Sequence, residues 1–244
     1  MRPDMKLCEK LYKQGKESKV GKNKNTVVDR SVRSSVEFND LVFDEKFLEY
    51  IKNKIKSAIE DMKAGNVENI QVHKIIIYGK GDFFEPHMDS IHTKEQTMTA
   101  VLELPTEWNV KYNERKAING DWGLRVKDEY FYRNKNNPML YVFDHDLRHE
   151  INTIKSGYRI SISFDLVIKP YENKIEFFEE MINDMKKLGV KRFGFFAQHL
   201  YFGDQQLKDV DYQIVTQLKN LTKSFSKIKL TNYADCWWYD KVVE

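Results

Sequence analysis

The chain reads as a mostly-β protein: an antiparallel sandwich or barrel with an N-terminal buttressing helix and a C-terminal α/β extension. Three observations predict this. One amphipathic helix precedes a series of short strand-like runs separated by Gly, Asn, Asp and Pro, the order expected of a sandwich or barrel with helical support. The run that begins at Arg159 alternates Ile160, Ile162 and Phe164 with Ser161, Ser163 and Asp165, the period of a strand with one covered face. After Pro170 the texture changes, and helical spacing returns between short strands.

Taken in order, residues 1–30 form an N-terminal segment that is expected to be partly flexible. Its Lys/Asn/Gly-rich part, 13–25, has little to bury and reads as a solvated loop. From Asp44 to Lys63, the residues Phe47, Leu48, Ile51, Ile55, Ala58, Ile59 and Met62 recur at helical spacing. Ile70–Tyr78 reads as a strand and Gly79-Lys80-Gly81-Asp82 as a turn. Further strand-like runs are Thr97–Leu104, Gly123–Val126, Leu140–Phe143, Glu150–Ile154 and Tyr158–Ile168, with Ser156-Gly157 as a turn before the last. These place the main domain at 31–170. The extension, 171–244, holds a helix over Ile175–Leu188 closed by Gly189, a strand at Arg192–Ala197, a helix over Asp209–Leu221 and a short strand at Lys227–Leu230. No internal repeat is visible.

Bulk composition excludes several classes. At 244 residues with 41% hydrophobic and 13% aromatic content the chain can bury a substantial core. Its formal charge of +3 is too balanced to argue for nucleic acid or a membrane surface. Cys8 and Cys236 are far apart and offer neither a zinc motif nor a disulfide framework. The N-terminus lacks an apolar signal region, and no run of about 18 apolar residues occurs. A soluble, intracellular protein without a membrane segment is the expectation.

The most informative residues are His87-Met88-Asp89, His149 sixty-two positions after His87, and Arg159 ten positions later. His-x-Asp sets an imidazole and a carboxylate on one side of an extended chain. A second His from a distant strand would complete the two-His, one-carboxylate set that holds non-haem Fe(II) with open positions. Arg159 supplies a permanent cation whose fork suits a carboxylate. Metal, open positions and a carboxylate-binding Arg point to an oxygenase that uses a 2-oxo acid. On this reading His87, Asp89 and His149 are both the metal ligands and the catalytic set. The polar face of the strand from Arg159 would wall a polar pocket.

The same residues carry a family resemblance. Tyr78, Phe84 and His87-x-Asp89, then Leu102-x-Leu104-Pro105 and Gly120-Asp121-Trp122-Gly123-Leu124-Arg125-Val126, resemble the prolyl 4-hydroxylase-like branch of the 2-oxoglutarate- and Fe(II)-dependent dioxygenases. Phe143-x-x-Asp146-x-x-His149-Glu150 and Ser156-Gly157-x-Arg159 extend the match to about 90 residues. Phe193–Asp211 is more loosely similar to the tail of some family members. The resemblance implies a double-stranded β-helix, or jelly roll, with iron on His87, Asp89 and His149. It implies Arg159 on the distal carboxylate of 2-oxoglutarate, and Tyr78 lining that pocket with its hydroxyl on the co-substrate. Ascorbate is an accessory candidate. The implied reaction couples O2 and decarboxylation of 2-oxoglutarate to hydroxylation of a protein or peptide side chain, prolyl before lysyl. The chain departs from the family at the middle loop, where a charged stretch, Asn109–Lys116, precedes Gly120-Asp121-Trp122-Gly123 in place of a Gly-Gly pair. That loop often borders the substrate, so the departure bears on substrate identity.

Other readings compete with this one. His92, or Asp144 and Asp146 around His145, could supply alternative ligands, but neither completes a set with a downstream Arg. Trp237-Trp238-Tyr239 could stack bases or sugars, though terminal aromatics more often dock on their own domain. A nucleic-acid demethylase of the same superfamily would carry a second Arg six residues beyond Arg159, where this chain has Asp165. A small-molecule oxygenase and a jelly-roll binding module without turnover complete the alternatives.

Overall fold

The structure is a computed structural model of the whole chain. It describes residues 3–22, 25–39, 42–89, 96–110, 122–134, 136–169, 176–189, 192–195, 209–221, 227–233 and 236–242. The chain divides into two compact units: Met1–Ala58 with Glu68–Val167, and Ile59–Val67 with Ile168–Glu244.

The chain opens with helix α1 (Met5–Gln14), capped by the Asp4 carboxylate, which accepts from Leu7 N at 2.7 Å. Strands β1 (Lys16–Glu17), β2 (Val20–Lys22), β3 (Asn25–Val27), β4 (Arg33–Ser34) and β5 (Val36–Phe38) follow. The stretch expected to be a solvated loop is therefore ordered: β1 pairs with β5, and β2 with β3 as a hairpin. Composition there argued only against a buried core. Backbone pairing and the burial of Cys8, Ser18 and Val20 supply the order instead. Helix α2 (Glu45–Asp61) buries Ile51, Ile55 and Ile59 along one stripe and begins where Asp44 accepts from Phe47 N at 2.9 Å.

Next come β6 (Asn66–Tyr78), β7 (Phe83–His87), β8 (Met98–Glu103), β9 (Trp108–Val110), β10 (Trp122–Val126), β11 (Glu129–Tyr132) and β12 (Met139–Asp144). The core closes with β13 (His149–Ile151), β14 (Ile154–Gly157) and β15 (Arg159–Lys169). Two sheets organise these strands. The larger has the order β1-β5-β6-β15-β8-β12 and the smaller β11-β10-β13-β7-β4, with β14-β9 as a separate pair. The strands pair antiparallel, β1 with β5, β5 with β6, β8 with β12 and β15, β10 with β11 and β13, and β7 with β13 and β4. One cluster takes Tyr78 and Phe143 from the larger sheet and Leu124 and Ile151 from the smaller. This is the double-stranded β-helix, with its apolar core between two antiparallel sheets.

The two faces of the larger sheet differ. On one face Ile77 of β6 and Ile160 of β15 meet Cys8, Leu11 and Tyr12 of α1. The other face carries Thr99, Val101 and Glu103 of β8 opposite Asp165, Ser163 and Ser161 of β15. α1 thus covers the outer face and frees the inner one to carry polar side chains.

One local expectation fails. Glu150–Ile154 is not a single strand, because the chain leaves the smaller sheet after Ile151 and re-pairs with β9 from Ile154. Ser156-Gly157, read as a turn, is the end of β14. Gly157 has φ +79, and a Cβ there would lie 2.0 Å from the Glu107 carbonyl oxygen, so only glycine fits.

The second unit carries α3 (Glu176–Lys187), β16 (Arg192–Phe195), α4 (Asp209–Leu221), β17 (Lys227–Tyr233) and β18 (Cys236–Val242), with sheet order β16-β18-β17. Trp237-Trp238-Tyr239 lie in β18, the central strand of that sheet. Among the described residues, no helix is long and apolar enough to cross a membrane.

Candidate metal centre

β7 reaches the site from a turn at Lys80-Gly81, where Gly81 adopts φ +91 and the Asp82 carboxylate accepts from Gly79 N at 2.8 Å. His87 stands directly opposite His149 in the β7–β13 ladder, so the two imidazoles share a side. The register slips by one residue between this pair and Phe84–Ile151. The slip falls at Glu85-Pro86, where proline has no N–H for the ladder, and a bulge of this kind re-aims the side chain that follows. Beyond the strand end, Asp89 N donates to His145 O at 3.0 Å, which brings the carboxylate back to the imidazoles.

The three ligand atoms of His87, Asp89 and His149 lie within 4.8 Å of one another, the one such group among the described residues. Asp89 Oδ1 is 3.5 Å from His149 Nε2 and 3.9 Å from His87 Nε2. Each imidazole is oriented from behind: His87 Nδ1 donates to Glu85 O and His149 Nδ1 to Leu147 O, both at 2.8 Å. This tautomer leaves both Nε2 lone pairs facing the carboxylate, the arrangement metal-ligating histidines use. Thr99 Oγ1 donates to Asp89 Oδ2 at 2.9 Å and leaves Oδ1 for the centre. The Phe84 ring stacks on His87 with centroids 3.3 Å apart.

The electrostatics follow from this crowding. Burial, then the neighbouring His149, pushes His87 down to about 3. For His149, burial works downward, but the Asp89 charge and hydrogen bond prevail and raise it above its ordinary value. For Asp89, burial works upward, and His149 with the other donors holds the carboxyl well below its ordinary range. A neutral His87 and an ionised Asp89 are the ligand forms a divalent cation needs.

The centre opens on a cavity of about 370 Å³ whose walls include Tyr78, Thr99, Arg159, Ser161 and Ser163. Arg159 is 1% exposed. Its Nε donates to Glu103 Oε2 at 3.0 Å, and its Nη2 lies 2.8 Å from the same oxygen without hydrogen-bonding geometry. Its guanidinium carbon stands 5.7 Å from the Tyr78 ring centroid. A buried Nη2 with an unmet donor fits a further carboxylate oxygen. The donor set therefore suits both groups that the sequence implies: a divalent iron on two imidazoles and one carboxylate, and a 2-oxo acid on Arg159.

The structure thus brings His87, Asp89, His149, Arg159 and Tyr78 to one cavity. The alternative ligand His92 and most of the divergent middle loop, 111–121, lie outside the described residues. Asp144, His145 and Asp146 do not form a ligand group. Thr99, Glu103 and Arg33, all on this cavity or paired to it, escaped the sequence reading. Glu103 had a signal, as a lone acid inside the apolar run Met98–Leu104; the other two had none.

No family model matches the chain, and no curated protein matches it in sequence. Solved structures do resemble it. One is a prolyl hydroxylase from Trichoplax adhaerens in complex with a hypoxia inducible factor oxygen degradation domain peptide fragment, with 18% identity over 66% of this chain and 74% of that one and a TM-score of 0.43. Another is a viral collagen prolyl hydroxylase from Paramecium Bursaria Chlorella virus-1 with 2OG, at 15% identity over 55% and 79% of the chains and a TM-score of 0.40. A third is an oxidoreductase of the 2OG-Fe(II) oxygenase family from Burkholderia pseudomallei, at 18% identity over 65% and 76% and a TM-score of 0.39.

Proposed function

We propose that the chain is an Fe(II)- and 2-oxoglutarate-dependent dioxygenase that hydroxylates a protein or peptide side chain, prolyl before lysyl. The observation that carries the reading is the joint placement of His87, Asp89 and His149 with the buried Arg159 on one cavity. The prolyl preference rests on the sequence resemblance alone. Bound iron would supply the redox chemistry by which O2 and 2-oxoglutarate yield a hydroxylated carbon, succinate and CO2, one oxygen atom entering each organic product.

The chain's own share is positional. His87, Asp89 and His149 would hold the iron, and three protein ligands would leave room on it for co-substrate and O2. Arg159 would bind the distal carboxylate of 2-oxoglutarate, helped by Tyr78 in the same wall. Glu103 orients the guanidinium through Nε and keeps Nη2 available. The apolar side of the wall, Ile76 and Val101, excludes water from that carboxylate.

Purified protein given Fe(II), 2-oxoglutarate and ascorbate should release succinate slowly without added substrate. Anaerobic Fe(II) with 2-oxoglutarate should give a visible charge-transfer band. Absence of both sinks the oxygenase reading. A proteome digest searched for 2-oxoglutarate-dependent +16 Da products identifies the residue modified, and products on leucine or lysine alone would remove the prolyl preference.

A further inference from the structure

A second buried guanidinium lines the same cavity, on the wall formed by β4. Arg33 is 5% exposed. Its Nε donates to Ser35 Oγ at 3.0 Å and its Nη1 to Lys19 O at 3.1 Å. Its Nη2 is buried and has no hydrogen-bond partner. The neighbouring carboxylate oxygen, Glu37 Oε2, is 3.8 Å from it, beyond hydrogen-bond reach, and stands closer to Lys74 Nζ, at 3.2 Å. One carboxylate is therefore shared between two cations, and the Arg33–Lys74–Glu37 cluster carries one net positive charge. Lys74, like Arg33, lines the cavity.

This cluster is close to the chemistry. Arg33 pairs with Phe84 across the β4–β7 ladder, and its guanidinium carbon lies 4.6 Å from the Phe84 ring centroid. Phe84 in turn stacks on His87. One aromatic ring thus separates Arg33 from a metal ligand. A buried cation with an unmet donor is costly, and a bound anion that supplies the missing acceptor removes the cost.

We propose that Arg33, with Lys74 beside it, binds a carboxylate on the substrate, so that the site selects substrates bearing one negative charge near the carbon to be hydroxylated. This rests on the oxygenase reading, in which Arg159 serves the co-substrate. A single carboxylate balances the single excess charge, whereas a phosphate dianion would leave a surplus. The carboxylate can come from an acidic residue of a peptide or from a small carboxylic acid.

The test uses two mixtures: a proteome digest, and a mixture of free amino acids with small carboxylic acids. Each is offered with carboxylates free and after methyl esterification, to the protein with Fe(II), ascorbate and 2-oxoglutarate. The ratio of +16 Da product from free over esterified material is read within each protein and does not depend on total activity. The expected result is a preference for free carboxylates of about tenfold or more in one mixture, which identifies the source. In Arg33→Gln that preference should fall to about twofold or less. Lys74→Gln, a change at a less buried side chain, should lower it part of the way and guards against an Arg33 variant that does not fold. Equal use of free and esterified material overturns the proposal, as does product from neither mixture alongside succinate release. A preference unchanged in both variants also overturns it. So does a larger loss of 2-oxoglutarate affinity, read from the anaerobic band, in Arg33→Gln than in Arg159→Gln. No succinate and no band from the wild-type protein would instead remove the oxygenase reading beneath it.

Discussion

The two ends of the cavity are built on different principles. The metal end uses the tips of short strands: β7 has five residues and β13 three, their register slips beside the ligands, and Asp89 lies past the strand end. The end proposed for the co-substrate uses Arg159 at the start of the eleven-residue β15, whose first six residues are all buried between β6 and β8. The three candidate ligands hold one another by charge, and a bound cation would complete them. Arg159 is held by Glu103, a partner inside the protein. The difference teaches that one end can lose a residue and keep its fold, while the other is structure and site at once.

Arg159→Met should break this contrast most severely. It leaves the Glu103 carboxylate, 3% exposed, without its partner, and opening a buried pair costs about 3–5 kcal/mol. Urea unfolding should show that loss together with abolished 2-oxoglutarate binding. Adding Glu103→Met should restore most of the stability and none of the binding. A single variant as stable as the wild type would mean that the pair bears no structural weight.

At the other end, Asp89→Ala should abolish succinate release and the anaerobic band at a smaller cost in unfolding free energy than Arg159→Met, since it removes the attraction to His149 and the Thr99 hydrogen bond but leaves no buried charge unpaired once His149 gives up its proton. A large destabilisation here would erase the distinction between the two ends.

Acidity sharpens the comparison without mutation. His149 is raised above 6.5, so its proton occupies a metal-binding nitrogen until the pH exceeds that raised value. Metal affinity, measured as Mn(II)-induced thermal shift, should fall about tenfold per pH unit below it. In the metal-free protein the sign reverses. A raised His149 contributes stability that is fully present below the unfolded value and is lost as pH rises through the folded one. His87, held at about 3 against an ordinary 6.5, opposes this as pH falls from 6.5 towards 3, because the unfolded chain then takes up a proton that the folded one refuses. Metal-free and Mn(II)-loaded protein should therefore diverge with rising pH. Parallel profiles would show that His149 is not a ligand.

Tyr78→Phe should give the smallest effect. Loss of one hydroxyl in the co-substrate wall, worth about 0.5–1.5 kcal/mol, should raise the KM for 2-oxoglutarate roughly twofold to tenfold without changing the metal-dependent thermal shift. No change in KM would leave Tyr78 as a packing residue only.

Much of the site was legible because its logic is local or periodic. His87 and Asp89 announce themselves by the strand period, and the Arg159–Asp165 alternation foretold a strand with one polar face, the face that lines the cavity. Arg33 was not legible, since nothing within SVRSSVEF marks the arginine as buried until β7 brings Phe84 beneath the guanidinium. The N-terminal hairpin escaped for a similar reason: Lys and Asn there satisfy no core, and their order comes from backbone pairing that composition does not report. Splitting 149–157 between two sheets depended on β9 and β10 both competing for one segment, a non-local choice.

By itself the amino-acid sequence determined the mostly-β class, the position of α2, which three side chains form the candidate ligand set and the polar face of β15. Each of these depends on spacing along one element. Only the tertiary structure decided that His149 stands opposite His87, that Glu103 occupies one side of Arg159, and that Arg33 lies on the same cavity with an unmet donor. These facts depend on which strands become neighbours and in what register. That choice is made by burial of the whole core and not by any segment's own preference.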